Sequence, residues 1–181
     1  MTITTRRTFA IASLGGVAML ATGCATKPLR PASADGTYCH RFGKAYRPIR
    51  TCTPTAIPAT AVEDEAKRFA PVAGMLTVYV VRKRWGDGLF LMRVADEHAK
   101  PIDLVPESFA RLKLQPGRHQ LTLTWPEGTT GLDIGGSAGD VLFVEVAGMA
   151  WAWGSSFRLE VGDPRASQER AAHLRLVADV G

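Results

Sequence analysis

From Gly74 onward, large apolar side chains recur at every second position, the period of a strand that turns one face inward. In "MLTVYVVRK", Leu76, Val78 and Val80 alternate with Thr77, Tyr79 and Val81; in "HQLTLTW", Leu121, Leu123 and Trp125 alternate with Gln120, Thr122 and Thr124. Similar runs stand at "LFLMRVA", "KPIDLVP", "SFARLKL", "LDIGG", "DVLFVEVAG" and "MAWAWGSSFRLEV", with "RLVADV" as a closing strand. Turn chemistry at "WGDG", "QPGR", "PEGTTG" and "GSAGD" separates them at roughly ten-residue intervals. About seven or eight short strands at that spacing predict a mainly β domain over residues 60–181, built as a single antiparallel β-sandwich, with a small barrel as the alternative closure.

The period becomes helical twice. Before the strands, Thr60 stands as an N-cap, and Glu63, Asp64 and Glu65 favour the positive end of the helix dipole. Glu63 and Lys67 are i,i+4 partners, Val62, Ala66 and Phe69 share one narrow face, and Pro71 closes the segment. Such a helix packs at a domain edge. Near the C-terminus, "DPRASQERAAHL" offers a Ser/Asp start and one or two amphipathic turns.

Between Ala25 and Pro58 neither period holds. Pro28, Pro31, Pro48, Pro54 and Pro58, interspersed with Ser, Thr and Gly, read as an extended tether over residues 24–59. Two cysteines interrupt it. In an exported chain, Cys39 and Cys52 form a disulfide most simply, closing "CHRFGKAYRPIRTC" into a loop and removing roughly 3 kcal/mol of chain entropy from the unfolded state. A metal site on Cys39, His40 and Cys52 lacks a fourth ligand and any CxxC or HxxxH spacing. A catalytic Cys39–His40 pair is no better, because neighbouring side chains point apart.

That export is expected follows from the first 23 residues. Arg6 and Arg7 precede an uncharged apolar run from Phe9 to Ala21, far short of the roughly 20 residues that cross a bilayer as a helix. The run ends in Ala21, Thr22 and Gly23 before Cys24. This arrangement resembles the lipobox of bacterial lipoproteins, in which signal peptidase cuts before the cysteine and its thiol carries diacylglycerol; Ala21 stands where that family more often has Leu. An ordinary secretory signal cut at the same place, or a buried N-terminal helix, is the alternative. "TRRTF" is also similar to a twin-arginine export signal through Thr5, Arg6, Arg7 and Phe9, although Ala10 and Ile11 depart from that pattern. Ala25 after the cysteine, where Asp would imply retention, implies within the lipoprotein family sorting to the outer membrane, facing the periplasm.

Charge sharpens this picture. The chain carries a formal +5, yet residues 27–54 hold Lys27, Arg30, Arg41, Lys44, Arg47 and Arg50 against Asp35 alone, which leaves the β domain slightly acidic. A nucleic-acid binder would put its cations on the folded module, so none is expected as partner. A basic segment beside a lipid anchor suits an anionic bilayer or wall polymer, with Arg41, Lys44, Arg47 and Arg50 as the candidate contacts. A solvated linker is the plainer reading.

At "LQPGRHQLTLTW", "SAGDVLFVEV" and "LRLVADV" the chain resembles uncharacterised bacterial envelope lipoproteins with a PEGA-like, peptidase-regulatory-like β-sandwich. The likeness runs from about Pro71 to Val180. It implies a β-sandwich in the envelope and no catalytic residues. The chain itself shows no GxSxG, HExxH or phosphate-cradling loop, and the five glycines of "GTTGLDIGGSAGD" sit between strands, where they read as turns. His40, His98, His119 and His173 stand in different elements and read as surface or strand-edge residues; His119, beside Arg118 at a strand start, is the one to watch. Neither catalytic residue, metal nor cofactor is expected. The function these observations fit is a non-enzymatic envelope accessory with an envelope protein or wall polymer as partner. The alternatives are a carbohydrate-binding module and a hydrolase with a loop-assembled site. Met149, Trp151 and Trp153 would share one strand face, as core or, alternatively, as an aromatic platform, and Trp85 beside "GDG" would stand at a loop tip.

If Cys24 is the acyl acceptor, Cys24→Ser leaves an unprocessed precursor that incorporates no labelled palmitate. A mature, palmitate-labelled Cys24→Ser protein would contradict the lipobox assignment.

Overall fold

The computed structural model describes residues 31–44, 46–82 and 90–181; Cys24, the leader and the "WGDG" turn with Trp85 lie outside the described residues. The chain is mainly β, as the two-residue period predicts, with eleven strands and two helices among the described residues.

The architecture is set by strand β3 (Leu76–Arg82), whose seven residues are all buried. Leu76, Val78 and Val80 point to one side and Tyr79 and Val81 to the other. A strand apolar on both faces must lie in the middle of a sheet that is covered twice. It does: a five-stranded sheet runs β10 (Gly154–Val161), β9 (Val141–Trp151), β3, β6 (Ser108–Leu114), β11 (Arg175–Val180). Against one face lies an antiparallel sheet in the order β5 (Ala99–Leu104), β4 (Met92–Asp96), β7 (Gly117–Trp125), β8 (Gly128–Gly136). Met92, Val94, Ile102, Leu104, Leu121 and Leu123 from this sheet meet Val78, Val80, Leu112 and Val144 from the other in one buried cluster.

Helices α1 (Thr60–Ala66) and α2 (Pro164–Ala172) cover the opposite face, where Ala66 and Ala171 pack on Tyr79, Val81, Phe109, Phe143 and Leu176. The ring of Phe143 stacks on that of Tyr79 at 5.2 Å, and Phe69 stands edge-on to Tyr79 at 5.1 Å. The first helix is therefore a cover for the sheet, not an edge element. Its N-cap is Ala59, without a side-chain cap, in place of the expected Thr60; the Glu63–Lys67 pair forms at 2.6 Å. In α2, Asp163 is the residue that caps, its carboxylate accepting from the Ala166 N–H at 2.9 Å.

The strand order departs from the antiparallel expectation in two places. Strand β3 pairs parallel with β9, and β11 pairs parallel with β6. Parallel neighbours need a crossover; α2, between β10 and β11, supplies the second one. The glycines of "GTTGLDIGG" form strand β8 instead of turns, because its partner β7 pairs with it through the whole of Gly117–Trp125. Gly148 carries a tighter requirement. Its φ is +149°, and a Cβ there would meet the Ser156 carbonyl oxygen at 2.1 Å and Phe157 Cα at 2.7 Å.

The stretch read as a tether does not run clear of the domain. Cys39 and Cys52 form the expected disulfide, opposite each other at the base of a hairpin of β1 (Cys39–Lys44) and β2 (Arg47–Cys52). Tyr38, just before it, is 2% exposed within the main core, and Ile57 packs on the same cluster. Tyr38 and Thr53 bond reciprocally, Tyr38 N–H to Thr53 Oγ1 at 3.0 Å and Thr53 N–H to the Tyr38 carbonyl at 2.9 Å. Buried His40 meets Glu107 at 3.2 Å in the β5–β6 turn. A proline-rich segment needs no period of its own when a few anchors dock it on an existing core.

Tyr38→Ala should cost about 3 kcal/mol or more in denaturant unfolding, like other aromatic truncations in cores, whereas Ile49→Ala, on the exposed part of the hairpin, should change stability by less than about 0.5 kcal/mol. Equal midpoints for Tyr38→Ala and the parent would show that the segment is no part of the core.

Candidate functional site

Charged groups buried on the helical side serve the packing. Arg111, on β6, reaches Asp179 on β11 at 2.9 Å and Glu65 on α1 at 2.5 Å, and Lys113 joins Asp179 at 3.3 Å. Burial raises the Asp179 carboxyl pKa, but the Arg111 hydrogen bond and charge outweigh it and hold the group below the usual carboxylate range. The same guanidinium lowers that of Glu65. Burial pushes the Tyr79 phenol up, and its O–H donates to the Ala66 carbonyl at 2.9 Å. On α2, Ser167 and Arg170 both donate to Glu145 of β9. Arg82, fully buried at the end of β3, donates to the carbonyls of Phe90 and Leu104 and so links the two sheets. These contacts lock helices and sheets together and leave the chemistry to the periphery.

Three peripheral features bear on the residues singled out from the sequence. The first is the disulfide hairpin. His40 and Thr51, which face each other, are buried at its base; Phe42 opposite Ile49, two pairs further out, is exposed, as is Tyr46. Arg41 stands opposite Arg50 and Lys44 opposite Arg47, and all four are exposed. Two like-charged cross-strand pairs within one short hairpin oppose its pairing. The hairpin closes despite them because the disulfide ties its base.

The second is the β9–β10 ribbon. Strand β3 pairs with β9 only over Val141–Val146, so residues 147–151 run past the sheet with β10 as their partner. The chain reverses at Ala152 and Trp153, which breaks the single strand expected for "MAWAW". Met149 is 53%, Trp151 39% and Trp153 85% exposed, and this overturns their reading as core. Across the ribbon, Trp151 faces Gly154 and Met149 faces Ser156, neither of which covers it. Trp125, by contrast, packs on the core and donates to Ser155 Oγ at 3.0 Å.

The third was not legible as a cluster. Asp96 ends β4, His98 sits in the two-residue turn into β5, and His119 lies near the start of β7, which pairs with β4. Folding brings together two histidines read as separate: their ring centroids are 6.3 Å apart. His119 Nδ1 lies 3.1 Å from Asp96 Oδ1, its Nε2 2.8 Å from the Gln115 carbonyl, and His98 Nδ1 3.9 Å from Asp96 Oδ2. The Asp96 and His119 side chains are buried, and His98 is exposed. The cluster opens on a groove of about 650 Å³ lined also by Arg118, Gln120 and Asp133. The signal available in the sequence was the Asp-x-His turn, but its partner stands 23 residues on from Asp96, across another strand. The fourth histidine, His173, is the C-cap of α2 and is not among the residues of this group.

Among the described residues, no helix is long and apolar enough to cross a membrane. In comparisons with known proteins, no family model and no curated sequence matches this chain.

Proposed function

We propose that the chain is a non-enzymatic lipoprotein of the cell envelope, of the PEGA-like β-sandwich kind, tethered through Cys24 to the periplasm-facing leaflet of the outer membrane. It acts as a binding accessory whose stapled hairpin engages an anionic envelope surface. The observation that carries this reading is the hairpin itself. Arg41, Lys44, Arg47 and Arg50 are exposed together with Phe42, Tyr46 and Ile49, a combination of cations and apolar side chains suited to a headgroup layer or an acidic wall polymer. Opposed like charges weaken a free ribbon, and a two-stranded hairpin is marginal by itself. An anionic partner relieves that repulsion, while the disulfide keeps the hairpin closed without one. The anchor and the hairpin lie near each other in sequence, so both act at the same membrane.

A second reading rests on the other ribbon. Trp151 and Trp153 are exposed at its tip and offer flat faces to a sugar ring or a protein partner.

Both are tested with the chain from Ala25 to Gly181, which carries no acyl chain. Its binding to vesicles containing anionic lipid should weaken steeply between 50 and 500 mM salt, with each cation near the surface contributing about 1 kcal/mol. Replacing Arg41, Lys44, Arg47 and Arg50 by Gln should remove most of the binding, and Trp151→Ala with Trp153→Ala should leave it. Salt-independent binding that survives the Gln changes and disappears in the folded Trp variant would contradict the hairpin reading and favour the aromatic one.

A further inference from the structure

Hydrogen-bond logic at His119 sets the starting point. Its Nε2 lies 2.8 Å from the carbonyl oxygen of Gln115, which can only accept, so Nε2 carries the hydrogen. In the neutral ring Nδ1 is then a lone pair, and it faces Asp96 Oδ1, another acceptor, at 3.1 Å in a buried setting. Two acceptors at that distance repel unless something positive joins them. A second ring proton is one solution and a cation is the other.

The surroundings favour the cation. A histidine whose Nε2–H is held by a backbone carbonyl presents Nδ1 in the fixed tautomer and orientation that metal-ligating histidines use. Asp96 is likewise held, its Oδ2 accepting from the His98 N–H at 3.0 Å, which fixes the turn and leaves Oδ1 directed at His119. Tetrahedral zinc, with nitrogen and oxygen ligands at about 2.0–2.2 Å, sets its ligand atoms about 3.3 Å apart. The 3.1 Å separation of His119 Nδ1 and Asp96 Oδ1 matches one such edge. The third donor, from His98, completes a group whose ligand atoms all lie within 4.8 Å of one another, and its exposed ring is free to turn inward.

We infer that Asp96, His98 and His119 form a binding site for a divalent transition metal of the zinc class. Two ligands are preset on paired strands β4 and β7, and the third closes from the β4–β5 turn. Three protein ligands leave one coordination position for a water or an anionic group of a partner, and Arg118 is among the residues lining the adjoining groove. The inference is independent of the hairpin, which it does not use.

The test uses the full chain in neutral detergent with Cys24→Ala, so that no free thiol competes, and zinc chloride as the probe. Titration calorimetry should give one zinc per chain. Affinity should fall at least about tenfold in His98→Ala, in which only an exposed ring is lost, and in His119→Gln, while the unfolding midpoint of metal-free His98→Ala stays that of the parent. Long-range nitrogen–proton correlation spectra should show zinc on His119 Nδ1 with the proton retained on Nε2. Absence of zinc binding, unchanged affinity in His98→Ala, or a proton on His119 Nδ1 in the presence of saturating zinc would overturn the assignment and leave an Asp96–His119 ion pair.

Discussion

Everything in this fold depends on a central strand that must be covered on both faces. All seven residues of β3 are 0% exposed, including Thr77 and Arg82, so neither face of the five-stranded sheet can be left to solvent. One face takes the four-stranded sheet and the other takes the two helices. The helices are too short to be stable alone. They persist because Ala66 and Ala171 close over Tyr79 and Phe143, and because Arg111 pairs with Glu65 of α1 and Glu145 with Arg170 of α2 across the layers, while Asp179 holds Arg111 within the sheet. Each of these pairs has one buried partner, Arg111 or Glu145, whose charge would be left uncompensated if the other were lost, so they fix which helix lies over which strand.

The same core determines what the N-terminal segment can do. A proline-rich stretch without a hydrophobic period would trail freely if Tyr38 and Ile57 had no place to go. With Tyr38 in the main cluster and His40 against Glu107, the base of the hairpin is fixed while Phe42, Tyr46 and the four cations extend beyond it. The four cations thus stand on a hairpin whose base is anchored in the domain.

Much of this could be read from the residues. The strand "SFARLKL" coincides with β6, the Asp163 cap and the Cys39–Cys52 bond are where local chemistry puts them, and the two-residue period identifies a mainly β chain. What local patterns do not encode is which strands become neighbours. The parallel pairings of β3 with β9 and of β11 with β6 depend on crossovers, and the convergence of His98 with His119 depends on β4 lying beside β7. Alternation also misled at "MLTVYVVRK": Thr77, Tyr79 and Val81 look like an outer face, yet aromatic and β-branched residues there are what a helix-covered face requires. At "MAWAW" a two-residue reversal was hidden inside an apparently continuous strand.

The stapled hairpin and the β domain form one folding unit, which native-state hydrogen exchange, measured residue by residue, can check. The Tyr38 and Thr53 amides, bonded to each other's residues at the hairpin base, should exchange as slowly as those of β3, through global unfolding. Exchange of Tyr38 and Thr53 at rates typical of an open chain, while β3 remains protected, would contradict it.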